Sequence, residues 1–134
     1  MNLQSYLFWS QYIYYRVSRY HVMTDFDAVK NKAKQLWSTF GPFENVTGLA
    51  APKLITLAKI KSGDKVLDVG CGTGVVALTA ARQGALVSGS DLTPELIDQA
   101  IDNARIAQLD IDFQVADAEE LPYQNNEFDF VLSQ

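Results

Sequence analysis

Residues 65–74 read Lys-Val-Leu-Asp-Val-Gly-Cys-Gly-Thr-Gly, an apolar run carrying one carboxylate, Asp68, that enters a loop with glycine at every second position. Without side chains at Gly70, Gly72 and Gly74, the backbone can turn sharply and press against a flat ligand. This is the pattern of a nucleotide-binding turn. A tight turn after any strand can also need glycine for conformational reasons alone, so the loop requires a second feature to carry a binding role. That feature is Asp91, twenty-three positions beyond Asp68, near where doubly wound folds place the carboxylate that grips a ribose. A carboxylate accepting from two ribose hydroxyls makes charge-assisted hydrogen bonds of about 1.5–3 kcal/mol each. The competing role is helix capping. Thr93-Pro94 already offers a cap and a proline for the first helical position, so the sequence predicts that capping does not require Asp91.

The elements that must hold these groups follow from periodicity. Lys65 onward is a strand of buried type. Val75–Gln83 is helix-compatible, with Gly84 where a left-handed C-terminal cap belongs. A second strand, 85–90, ends at Asp91. Thr93–Gln108 follows as a helix whose Leu96, Ile97, Ala100, Ile101, Ala104 and Ala107 form one stripe. A third strand, 111–116, leads into Asp117-Ala118, and Phe128–Ser133 reads as a fourth. Upstream, Phe26, Val29, Ala33, Leu36, Trp37 and Phe40 recur at helical spacing and predict the packed face of an amphipathic core helix, broken at Gly41-Pro42. A second helix is expected near 49–60, before a Ser62-Gly63-Asp64 turn.

Two cofactor classes use a strand, a glycine loop and a helix. Dinucleotide folds favour Gly-x-Gly-x-x-Gly, whose third glycine allows close helix packing. Here Val75 stands in that third place. The wording Val66-Leu67-Asp68-Val69-Gly70-Cys71-Gly72-Thr73-Gly74 resembles the first motif of class I S-adenosylmethionine-dependent methyltransferases. Asp117-Ala118-Glu119-Glu120-Leu121-Pro122-Tyr123 resembles the same family's adenine-contacting segment and acidic Leu-Pro turn. The resemblance runs from about Asp25 to Gln134, and its wording is nearest to the small-molecule group that includes quinone-biosynthesis C-methyltransferases.

The resemblance implies an α/β fold: a Rossmann-like doubly wound sheet present in part, strands 3-2-1-4 with flanking helices, preceded by N-terminal helices. The family's full order is 3-2-1-4-5-7-6, so the chain is expected to be the cofactor-binding portion of a longer enzyme, ending after strand four. The implied activity is transfer of a methyl group from S-adenosylmethionine to a small-molecule acceptor. The implied cofactor residues are Asp68, Gly70, Cys71, Gly72, Gly74, Asp91, Leu92, Asp117, Ala118 and Ser133. Of these, Asp68 would organise the loop and reach the methionine amino group. Gly70 and Gly72 would allow close backbone approach, and Gly74 would allow tight helix packing. Asp91 would hold the ribose and Leu92 pack on the adenine, while Asp117 and the Ala118 N–H would read the adenine's donor and acceptor edge. Ser133 would lie at the methionine end, and Trp37–Phe43 would form a lid. Asp117 has a plainer competing role as the start of a turn. No catalytic residue and no metal ligand is implied. Two alternatives remain: a nicotinamide-dependent oxidoreductase fragment, and a noncatalytic half-domain that binds the cofactor.

Composition sets further expectations. A chain of 134 residues at formal charge −5 is one domain by length and presents the wrong field for nucleic acid, whose affinity rests on phosphate neutralisation. Ser133-Gln134 also does not begin the Asn-Pro-Pro-aromatic signature of amino-group methylation. Cys71 is the only cysteine, so no intrachain disulfide can form, which fits a cytoplasmic location. As a nucleophile it lacks a base partner, since the one imidazole, His21, lies far upstream. Residues 1–22 hold seven aromatics but neither the apolar run of a membrane span nor a signal-peptide layout. They read as an extension before a natural start at Met23, followed by a helical cap over 23–62 and the cofactor-binding domain over 63–134. An apolar fourth strand at a sheet border predicts self-association.

Overall fold

The computed structural model describes residues 26–39 and 48–134. The aromatic segment 1–22, the start at Met23, and the break at Gly41-Pro42 with its neighbours Phe40 and Phe43 lie outside the described residues. The chain divides into two compact units, Met1–Lys32 and Ala33–Gln134. Everything below concerns the second, except for the first turns of helix α1.

Eight elements follow in order: α1 (Phe26–Trp37), α2 (Ala51–Ala58), β1 (Lys65–Val69), α3 (Val75–Arg82), β2 (Leu86–Asp91), α4 (Pro94–Ala107), β3 (Ile111–Val115) and β4 (Phe130–Leu132). The strands form one sheet in the order β3-β2-β1-β4, all neighbours parallel, as the resemblance implied. The order reverses between β1 and β4, and the carboxyl ends of the strands share one edge there.

The core lies where α2 and α3 cover the sheet: Ala51, Ile55, Val66, Val76, Ala77, Ala80, Val87 and Leu132 are all buried in one cluster. Alanines at positions 77, 80 and 100 are fully buried, and their small side chains let the helix backbones lie close on the strands. Phe113 fills the space over Gly89 in β2 and Gly74 at the start of α3. A Cβ on Gly89 would lie 2.6 Å from its ring, and one on Gly74 would lie 2.9 Å from it. Gly84 takes the left-handed conformation (φ +87°) after α3, as its place in the sequence predicted.

Three expectations need correction. The apolar face of α1 is not a core face, because no residue of α1 is buried, and Phe26, Val29, Leu36 and Trp37 all stand exposed. Helical period fixes which residues share a face, not what covers it. Strand β4 is shorter than its apolar run, beginning at Phe130 rather than Phe128. The Asp129 carboxylate accepts from Lys65 N–H at 2.8 Å while Asp129 N–H donates to Lys65 O at 2.8 Å, and this clasp closes the ladder. Phe128 turns instead edge-on to Tyr123, with ring centroids 5.0 Å apart. Finally, Thr93 occupies the N-cap of α4, but its side chain makes no capping hydrogen bond.

Candidate functional site

The four strands deliver their following residues to one edge, where a cavity of about 550 Å³ opens. Residues 70–73 come from the end of β1, 91–93 from β2, 116–118 from β3 and 133–134 from β4. The lining includes Asp68, Gly70, Cys71, Gly72, Asp91, Leu92, Asp117, Ala118 and Ser133, so the structure brings together all the sequence-derived candidates except Gly74. Gly74 sits behind the cavity. It is the left-handed N-cap of α3 (φ +89°), and a side chain there would strike Phe113 and press on Ala100. Its part is the close packing of α3 on the sheet. Gly72 differs: it also has positive φ (+54°), but a Cβ there would meet nothing within 4 Å. Its open side belongs to the cavity it lines.

Asp91 is the hub of the site. Its Oδ2 accepts from Gly72 N–H at 2.9 Å and its Oδ1 from Thr93 N–H at 2.9 Å. One carboxylate therefore fastens the glycine loop to the start of α4, the tie that the Thr93 hydroxyl does not make. Each carboxylate oxygen carries a second lone pair, so both can still accept from a ligand. Cys71 N–H donates to Ser90 O at 2.9 Å and Ala116 N–H to Asp91 O at 2.9 Å, extending the sheet pattern into the rim. From α4, Asn103 Nδ2 donates to Thr73 O at 3.1 Å and holds the far side of the loop.

Asp68 is 1% exposed, and its Oδ2 accepts from Ala77 N–H in the first turn of α3 at 3.0 Å. Burial pushes its carboxyl up to about 7. The Ala77 hydrogen bond opposes that rise, and the negative charge of Asp91 adds to it. An acid poised near neutrality at the floor of a cavity responds strongly to an added cation. The Cys71 thiol is driven the opposite way from a nucleophile's: burial foremost, then the charges of Asp68 and Asp91, raise it far above its usual value. Cys71 acts here as a small apolar wall.

Asp117 fulfils its plainer role and also lines the cavity. Its Oδ1 accepts from Glu119 N–H at 3.0 Å and its carbonyl from Glu120 N–H at 2.9 Å, a tight turn that leaves Ala118 at the rim. Some lining residues were not singled out from the sequence: Ala33, Thr73, Val76, Thr93, Leu96 and Gln134. Thr93 and Leu96 could have been found from their spacing to Asp91. Ala33 could not, since it reaches the cavity only through the placement of α1. Trp37, one turn on from Ala33, lines the same cavity.

Comparison with known proteins agrees with this geometry. A family model described as "methyltransferase domain" matches residues 66–134. The chain is 41% identical over 104 residues to an uncharacterised protein of Mycobacterium tuberculosis, covering 75% of this chain and 38% of that protein. It is 34% identical over 110 residues to a ubiquinone biosynthesis O-methyltransferase of Xylella fastidiosa, covering 81% of this chain and 45% of that enzyme. Among solved structures, the YcgJ protein of Bacillus subtilis superposes with a TM-score of 0.60 at 28% identity, over 63% of this chain and 37% of that one. The chain thus spans less than half the length of each of these relatives.

Proposed function

The chain belongs to the class I S-adenosylmethionine-dependent methyltransferases, and from that premise we propose that it is the cofactor-binding portion of an enzyme that methylates a small-molecule acceptor. The observation that carries the reading is the cavity itself: three carboxylates and an open glycine loop converge at the carboxyl ends of the strands, where the strand order reverses.

The donor set fits the cofactor. S-adenosylmethionine presents three hydrogen-bond donor groups, an α-ammonium, a ribose diol and an adenine amine, and the cavity presents three acceptors, Asp68, Asp91 and Asp117. In this reading Asp91 takes the ribose diol, and Asp117 with the Ala118 N–H takes the adenine edge. Leu92 packs on the adenine face, and Asp68 takes the ammonium. The backbone at Gly70 and Gly72 approaches the methionine end, near Ser133. Cys71 gives the wall and Gly74 the helix packing behind it. The bound cofactor supplies an electrophilic methyl on a sulfonium. Asp68, Asp91 and Asp117 would hold the cofactor, whose chemistry would be to offer that methyl to a nucleophilic acceptor. The protein's contribution is to align the two partners and to exclude water from between them. No general base is assigned.

Among the comparisons nothing supports the nicotinamide reading, and Val75 in the place of the third glycine opposes it. No helix among the described residues is long and apolar enough to cross a membrane. Separately, we assign a cytoplasmic location on the single cysteine, which fits a reducing compartment. The acidic balance favours a small molecule over nucleic acid as acceptor, and the 34% likeness to a ubiquinone O-methyltransferase favours a quinone-like one. Residues 23–62 are assigned to a helical cap, 63–134 to cofactor binding and 1–22 to an extension. We also assign self-association to the β4 edge.

The test is calorimetric titration of the chain with S-adenosylhomocysteine, with NAD in parallel. Saturable binding of S-adenosylhomocysteine alone, lost on Asp91→Ala, is the expected result. Binding of NAD, or of neither ligand by a folded sample, overturns the reading.

A further inference from the structure

We propose that Tyr123 is the positioning residue behind the choice of nucleobase: it seats the loop that carries Asp117 and Ala118 to the cavity, and so holds their acceptor and donor in register with adenine's edge. The inference rests on the cofactor reading above, in which those two residues read the adenine, and adds the group that places them.

Between β3 and β4 the chain runs through residues 116–129 without a regular helix or strand, and a connection of that length in a compact fold usually has a functional task. Its first leg is tied to the sheet, where Ala116 N–H donates to Asp91 O at 2.9 Å. The turn that follows is shaped locally. Asp117 Oδ1 accepts from Glu119 N–H at 3.0 Å, and Asp117 O accepts from Glu120 N–H at 2.9 Å. Those bonds give the turn its form but do not fix where over the cavity it stands, and residues 118–120 are exposed.

The second leg is seated at Tyr123, six positions after Asp117. Its ring meets Phe128 edge-on, with centroids 5.0 Å apart and planes at 89°, and its hydroxyl is buried. Burial raises the phenol above its ordinary value, and the Gln114 side chain beside it opposes the rise, although no hydrogen bond of full geometry closes on the hydroxyl. Phe113 points into the core beneath α3, so Gln114 points to the opposite face of the sheet. The chain therefore leaves β3 at its carboxyl end, presents Asp117 and Ala118 to the cavity, and is seated again behind the sheet, against the strand it left. Gln114 and Tyr123 are nine positions apart, and a loop closed over so short a span keeps few conformations. Tyr123 itself does not line the cavity; it acts on the cofactor through the residues it places. Because the seat is made by the ring and its burial rather than by the hydroxyl, phenylalanine should serve there and a small side chain should not.

Adenine offers an amine donor beside a ring-nitrogen acceptor, and hypoxanthine a carbonyl acceptor beside an N–H donor. A carboxylate and a backbone N–H in fixed register match the first and oppose the second. The test is titration of the full chain with S-adenosylhomocysteine and with S-inosylhomocysteine, its deaminated analogue. The expected preference for the adenosyl ligand is about thirtyfold or more, as for one charge-assisted hydrogen bond made rather than opposed. In Tyr123→Ala the preference should fall to about threefold or less, through weaker adenosyl binding, while S-inosylhomocysteine affinity stays within about threefold because Asp68 and Asp91 still hold the rest of either ligand. Tyr123→Phe should keep the preference. An unchanged preference in Tyr123→Ala overturns the inference, as does an equal loss of both ligands or a lost preference in Tyr123→Phe. Tyr123→Leu keeps more of the buried volume and is the second variant if Tyr123→Ala does not fold; it should lower the preference as well, and failure of both to fold would make Tyr123 a core residue and overturn the inference. If the wild-type chain binds neither ligand, the cofactor reading falls and takes this inference with it. If it binds both alike, the assignment of adenine to Asp117 and Ala118 falls too; if it discriminates and the variants discriminate equally well, only this inference falls.

Discussion

At the scale of single residues, the site is built from carboxylates with more than one duty. Asp91 holds Gly72 and Thr93 and has lone pairs left for a ribose. Asp91→Asn keeps the shape but turns one of the two oxygens into a donor that faces a backbone N–H. We expect S-adenosylhomocysteine affinity to fall by about tenfold to a hundredfold, the loss of one or two charge-assisted hydrogen bonds; titration calorimetry reads it. Asp68 makes a pH prediction. Its folded-state value, about 7, lies above the ordinary 3.8, so the folded chain holds this proton more tightly than the unfolded one. The stability it contributes is full below about pH 4 and is lost as pH rises to about 7, and Asp68→Asn should flatten that slope in thermal melts across the range. Bringing an ammonium beside Asp68 favours its charged form, so S-adenosylhomocysteine binding near pH 6 should release a proton and tighten as pH rises to about 7. Titrations in buffers of different ionisation enthalpy test this, and identical heats would contradict it. The sequence displayed the identity and spacing of these acids. It did not display their second duties, because the contact between Asp91 and Gly72 joins residues 19 apart and exists only once β1 and β2 are paired.

At the scale of elements, the bounds of β1 and β2 were legible because punctuation flanks them in the chain, Gly63 before β1, Gly70 after it, Gly84 before β2 and Pro94 after it, whereas the order β3-β2-β1-β4 was legible only through the family resemblance. The end of β4 near Phe128 was not legible, since an apolar run does not reveal that Asp129 will clasp Lys65. The exposure of α1 was not legible either, since a periodic face looks the same whether or not something covers it. The packing of α3 against β3 yields a test that the loop motif alone would not suggest. In Gly74→Ala the new Cβ has to accept φ near +89° and a contact of 2.9 Å with the Phe113 ring. We expect a loss of about 2–4 kcal/mol in chemical denaturation, strain and overlap together. Adding Phe113→Leu removes the overlap but not the backbone strain, so the double variant should recover only part of the loss. Full additivity of the two substitutions would mean that the side chain and the ring do not meet.

At the scale of the whole molecule, the sheet ends at β4, and among the described residues no strand pairs with its outer edge. That edge is short, parallel and apolar, and Val131 on it is 62% exposed. Natural sheets protect such borders with shortness, charge, proline or a covering element; β4 is short but carries neither charge nor proline between Phe130 and Leu132. The isolated chain should therefore associate with rising concentration, and sedimentation velocity over the micromolar range should show the shift. Val131→Lys places a charge where a second strand would pair and should return the chain to a monomer. The same substitution should leave S-adenosylhomocysteine binding unchanged, because Val131 does not line the cavity. A wild-type chain that sediments as a monomer at every concentration would mean that the β4 edge is protected without charge or proline. If instead Val131→Lys abolished both association and binding, the border and the site would be one cooperative structure: β4 pairs Leu132 with Asp68 and hands Ser133 directly to the cavity.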